Sequence, residues 1–132
     1  PLFLSNIDVK KILSEVPVEK TWFGWGVSNG RVKGIAYVTS NPTAIPFEIQ
    51  KPRILVTPCL NPGQTWCLNY WDGVLLEQGS ELSHPAIIAR EMNIPMIAHL
   101  PNITQSIKTG DYIYMDATYG KVTCIPSPSE EE

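Results

Sequence analysis

The sequence predicts a mixed α/β domain with a partly parallel sheet. Short apolar, β-branched runs alternate with helical segments through the middle of the chain, and buried strands joined by helical crossovers pair in parallel. The flanking segments read as strands with no helix between them, which adds antiparallel pairing. The length of 132 residues fits one domain.

In chain order, residues 5–16 predict a short helix. Ser5 or Asn6 caps it, Val9, Ile12, Leu13 and Val16 repeat at helical spacing, and Pro17 ends it. With its flanks it forms a connector over 1–21. The aromatic, glycine-rich stretch Trp22-Phe23-Gly24-Trp25-Gly26-Val27 leads to a turn at Ser28-Asn29-Gly30, where Asn and Gly tolerate positive φ. Residues 32–39 predict a strand, and Asn41, Pro42, Thr43 and Pro46 mark a loop. Residues 53–57 form a β-branched run between prolines, as a buried strand does. Asn61 and Pro62 open a short helix to about Tyr70, which Gly73 interrupts. A strand over 73–76 and a polar loop, Glu77-Gln78-Gly79-Ser80-Glu81, precede a helix that runs to about Met92. A strand over 94–98 follows, then one helical turn from a cap at Asn102 to Ile107. Gly110-Asp111 starts a hairpin with strands over 112–115 and 121–125 and a turn at Gly120. The domain proper is therefore 22–125, and 126–132 is a solvated acidic tail.

Composition excludes several function classes. Apolar residues at 43% and charged residues at 17% argue against disorder. The net charge of −3 is matched by Glu130, Glu131 and Glu132 alone, which leaves a neutral body. Such a body does not neutralise nucleic-acid phosphates or read an anionic lipid surface. No apolar run approaches the roughly 20 residues of a membrane span. The start, Pro1-Leu2-Phe3-Leu4, lacks both a charged signal-peptide region and an initiator Met, so a piece of a longer chain is expected. Cys59, Cys67 and Cys124 form no CxxC pair. Free thiols in a reducing, cytoplasmic compartment are expected. The chain is too short for a self-contained nucleotide-dependent kinase. It has no P-loop lysine motif, no dinucleotide fingerprint and no metal-ligand spacing.

Chemistry then rests on the two histidines, His84 and His99. His84 precedes Pro85, which disfavours the α region for it. It is therefore expected at the helix cap, with Pro85 in the first helical position. Unpaired N–H groups and the positive dipole end converge there, and such a place holds phosphate. It also disfavours an imidazolium, which leaves a ring nitrogen lone pair for attack on phosphorus. On the residues alone, a capping or surface histidine is the commoner arrangement. His99 follows a strand and reads as a loop residue.

The run from Glu77-Gln78-Gly79-Ser80-Glu81-Leu82-Ser83-His84-Pro85-Ala86-Ile87-Ile88-Ala89-Arg90-Glu91 to Ile94-Pro95 resembles the phosphohistidine signature of the phosphoenolpyruvate-utilising enzymes. That family includes phosphoenolpyruvate synthase, pyruvate phosphate dikinase and the first enzyme of the sugar phosphotransferase system. Other segments resemble it in the same order: Gly26 to Ala36, Ile54 to Pro58, Asn61 to Trp66, and Gly110 to Val122. The resemblance covers roughly 22–125. It implies a swivelling three-layer β/β/α domain that swings between a nucleotide site and a second substrate site. It also implies that His84 carries the phosphoryl group, with Gly79 and Ser83 binding phosphate or orienting the ring. ATP and magnesium are expected elsewhere in the parent chain, on an ATP-grasp-like domain, and the acceptor or phosphoenolpyruvate domain is the other partner.

The sequence departs from the family pattern at three places. Ser80 stands for the second of two glycines, Pro85 for a small residue after the histidine, and Leu82 for a regulatory threonine of the plant dikinases. Arg90 is expected in a salt bridge within the fold, since it reaches phosphate only by folding back, and at least two of Trp22, Trp25, Trp66 and Trp71 are expected in the core. The expected activity is that of a phosphotransferase domain without net turnover on its own. Two other readings stand beside it: a domain of a dikinase-like enzyme acting on a drug or other small acceptor, and a degenerate binding module without phosphoryl chemistry.

Overall fold

Strand Arg53–Thr57 is buried along its whole length, which requires cover on both faces. The computed structural model, which describes residues 20–48, 50 and 52–125, provides that cover. Its strands are β1 Lys20–Phe23, β2 Trp25–Ser28, β3 Arg31–Val38, β4 Arg53–Thr57, β5 Gly73–Leu76, β6 Met96–Ala98, β7 Tyr112–Asp116 and β8 Lys121–Ile125. The helices are a 3-10 helix over Pro62–Tyr70, α1 over His84–Met92 and α2 over Ile103–Ser106. The eight strands form one sheet in the order β1-β8-β7-β3-β4-β5-β6-β2. β3, β4, β5 and β6 run parallel, and the remaining pairs are antiparallel. This is the partly parallel α/β sheet that the alternating pattern predicts.

Alternation along β4 separates two cores, because successive side chains point to opposite faces. Leu55 packs with Val74 and Leu76 against Ala86 and Ala89 of α1 and against Cys67, Leu68 and Trp71 of the 3-10 segment. Ile54 and Val56 pack with Leu75 and Ile97 against Ile113, Met115, Val122 and Cys124 of the β7–β8 hairpin. The sheet therefore folds over itself, giving β, β and α layers. Gly24 alone separates β1 from β2, yet these strands lie at opposite edges of the sheet, so the two edges meet there. Gly24 N–H donates to the Gly120 carbonyl at 2.8 Å. A Cβ on Gly26 would run into the Ala117 carbonyl, so backbone packs directly on backbone at this seam.

Several boundaries differ from the sequence reading for local reasons. The aromatic stretch forms β1 and β2, and β1 already begins at Lys20. The strand predicted over 94–98 shortens to β6, because the Ile94 N–H is used by the Ala89 carbonyl at the end of α1. Asn93 takes left-handed geometry there, φ 60°, and ends the helix in the usual αL fashion. The segment from Pro62 is tighter than an α-helix, and the Trp71 N–H closes it on the Leu68 carbonyl at 3.2 Å. The predicted helix over 5–16 and tail over 126–132 lie outside the described residues. No helix among the described residues is long and apolar enough to cross a membrane.

Candidate phosphohistidine site

The C-terminal ends of β4, β5 and β6 share one rim, as parallel strands require. β5 delivers the loop 77–83 to this rim, and α1 starts from it. Ser83 is the N-cap, with φ −71° and ψ 153°. His84 is the first helical residue and Pro85 the second, one position later than the pre-proline preference predicts. Ser83 supplies the extended cap geometry instead. Pro85 forfeits no helix bond, because the N–H it lacks belongs to the first turn. The His84 side chain is exposed.

The first helical bond runs from the Ile87 N–H to the Ser83 carbonyl at 3.1 Å. Ser83 makes no side-chain cap. Its Oγ donates to the Ser80 carbonyl at 2.8 Å, and its N–H meets the same carbonyl at 3.1 Å. The Leu82 N–H donates to Ser80 Oγ at 3.3 Å. Ser80, where the family pattern has glycine, thus helps to form a closed turn. Of the N–H groups that a first turn leaves unpaired, those of His84 and Ala86 receive no cap from Ser83. Gly79 enters the turn at φ +132°, a conformation that only glycine adopts easily. A cavity of about 260 Å³ lies beside the helix start, lined by Cys59, Asn61, Gln78, Gly79, Ser83 and Pro85 among others.

Two anchors outside the turn have partners that the sequence did not reveal. Glu77 accepts from the Thr104 N–H and hydroxyl of α2. Arg90, in the last turn of α1, folds back toward the helix start. Its Nη1 donates to the Val27 carbonyl and its Nη2 to the Glu81 carbonyl, both at 2.7 Å. The expected salt bridge of Arg90 is replaced by these carbonyl contacts. The Ala-Arg-Glu part of the motif was the available signal, since an arginine two turns into a helix reaches back over its own N-terminal side.

His99 stands just past β6 at φ 61° and stacks on Trp25 with centroids 4.0 Å apart and planes 11° apart. A second cavity, of about 480 Å³, is lined by Trp25, Ser80, Glu81 and Leu82. Trp71 is buried and Trp22 packs partly against the core, while Trp25 and Trp66 remain about half exposed. Burial raises the Cys67 thiol pKa. Burial, and then the Asp111 carboxylate 3.5 Å away, push Cys124 up to about 12. Among the described residues, no group of three or more His, Cys, Asp or Glu could hold a metal ion.

The family model "PEP-utilising enzyme, mobile domain" matches residues 49–120. A probable phosphoenolpyruvate synthase of Pyrococcus horikoshii is 31% identical over 99 residues, which cover 75% of this chain and 12% of that protein. A phosphoenolpyruvate-protein phosphotransferase of Geobacillus stearothermophilus is 34% identical over 91 residues, covering 67% of this chain and 15% of that protein. The chain thus spans less than a sixth of either relative. Among solved structures, Enzyme I matches with a TM-score of 0.53 at 26% identity, over 67% of this chain and 35% of that one. Aconitase X of Thermococcus kodakaraensis matches with a TM-score of 0.57 over 80% of this chain and 98% of that one; at 16% identity it shares the fold alone. With the family model matched over more than half its length, the chain belongs to the PEP-utilising enzyme mobile-domain family.

Proposed function

We propose that this domain is the phosphoryl carrier of a multidomain phosphotransferase resembling phosphoenolpyruvate synthase or dikinase, and that His84 is its carrier residue. The observation that carries this reading is the exposed His84 at the first position of α1, beside first-turn N–H groups that Ser83 leaves uncapped. A ring nitrogen lone pair attacks the donor phosphorus. The N–P bond forms as the P–O bond to the donor breaks, and that electron pair leaves on the donor oxygen. The N–H groups of His84 and Ala86 and the helix dipole then favour the dianion. Gly79 permits the tight turn below it, and Ser83 Oγ exchanges its bond to the Ser80 carbonyl for one to phosphate. Transfer to the acceptor reverses these bond changes at the second site.

In this reading the domain swings between an ATP-grasp-like domain, which binds ATP and magnesium as substrate, and an acceptor or phosphoenolpyruvate domain. Three free thiols fit action in the cytoplasm. The test is phosphate labelling of the full-length parent protein, supplied separately with radiolabelled ATP–magnesium and phosphoenolpyruvate. The expected label is acid-labile, alkali-stable, abolished by His84→Ala and retained in His99→Ala. An acid-stable label on Ser83, or full labelling of His84→Ala, overturns the reading.

A further inference from the structure

We propose that Arg90 is a positioning residue for His84, which rests on the carrier reading above. Arg90 is the link between three elements: it belongs to α1 and holds the Val27 carbonyl of β2 and the Glu81 carbonyl of the loop, each at 2.7 Å. The turn that presents His84 is otherwise closed on itself through Ser80. Its residues 78–82 are exposed, so little side-chain packing fixes them against the sheet. Glu77, through Thr104, and the Gln78 N–H, on the Pro58 carbonyl at 3.0 Å, secure only the start of the loop. Arg90 thus fixes the far end, two residues before the cap Ser83.

The chemistry of the link demands arginine. Two carbonyls on different elements need two N–H donors held apart in one plane, which guanidinium provides and a single ammonium does not. Bonds from a charged donor to a carbonyl are also stronger than neutral ones. Loss of the link frees Glu81 and Leu82 to move, and with them the line of approach from His84 to phosphorus. Misplacement by about 1 Å in a phosphoryl-transfer site slows the step by up to about a hundredfold.

The experiment compares Arg90→Lys, Arg90→Met and Arg90→Ala with the wild type in the full-length parent protein. It measures single-turnover labelling of His84 from radiolabelled ATP–magnesium and from phosphoenolpyruvate, each at saturating concentration. The expected result is a labelling rate lower by about tenfold to a hundredfold in all three variants, with melting temperatures close to wild type. Added guanidinium ion restores the rate of Arg90→Ala and leaves that of Arg90→Met unchanged. A wild-type rate in Arg90→Met overturns the proposal. So does a loss that follows the melting temperature and resists guanidinium, because Arg90 is then structural only. A wild type that places no label on His84 from either donor ends the carrier reading, and the role of Arg90 with it. Normal labelling in the variants ends the role of Arg90 alone.

Discussion

Glu77 and Thr104 join the loop that carries the site to the short helix after β6. One carboxylate oxygen takes the Thr104 N–H at 3.0 Å and its hydroxyl at 2.5 Å. The pair is half-buried, and hydrogen bonds to an ionised acceptor are the stronger kind. Glu77→Ala leaves two donors on Thr104 without this partner. It is expected to cost about 1–3 kcal/mol in urea unfolding. Glu77→Gln, which keeps an acceptor oxygen, should cost less. Equal losses for the two variants would show that the carboxylate charge is what matters.

Gly79 precedes the turn at φ +132°. A Cβ there meets only ordinary contacts, 3.4 Å from the Ala98 side chain, so the penalty of Gly79→Ala is conformational. About 1 kcal/mol or more of stability is expected to be lost, read as a lower denaturation midpoint with an unchanged slope. A neutral substitution would mean that the turn relaxes to another backbone geometry.

His84 is exposed and its side chain makes no described hydrogen bond within the protein. His84→Ala should change stability by no more than about 0.5 kcal/mol, while labelling is abolished. Unfolding of that variant would assign His84 to structure.

Thr57 ends β4, and its hydroxyl is buried with no partner. Replacing a buried, unpaired hydroxyl by a methyl removes a desolvation penalty. Thr57→Val should be neutral or up to about 1 kcal/mol more stable by thermal melting. A clear loss of stability would reveal a bond to the hydroxyl in solution.

The buried thiols predict an alkaline limit. Cys124 is held up to about 12, above its ordinary 9.0, first by burial and then by Asp111. Cys67 is also raised, by burial. The unfolded chain therefore loses these protons first. Below about pH 9 both states keep them, and stability is unaffected. As pH rises from there toward 12, the unfolded state binds fewer protons and stability falls. Cys124→Ala should flatten that decline in pH-dependent melting, and an unchanged slope would exclude Cys124 as its source. At neutral pH a thiol reagent should modify exposed Cys59 well before Cys67 and Cys124.

The order of elements and the place of His84 at a helix start were legible in the sequence, because both depend on local chemistry. β-branched runs between prolines make short strands, and Ser83-His84-Pro85 makes a helix entrance. The family motif is likewise continuous in the chain. Contacts between residues far apart in sequence belong to the tertiary structure alone. Arg90 had a nearby Glu91 and several acidic residues within reach on paper, yet its partners are the carbonyls of Val27 and Glu81. No periodicity encodes a carbonyl as acceptor, since every residue has one. The stacking of Trp25 on His99 and the meeting of β1 and β2 around Gly24 depend on how the sheet folds over. That follows from burying Ile54 and Val56 against the hairpin while Leu55 packs on the helical side. Local pattern therefore determined which segments become strands and helices and where the candidate nucleophile sits. The folding of the sheet decided what surrounds that nucleophile and what holds its loop in place.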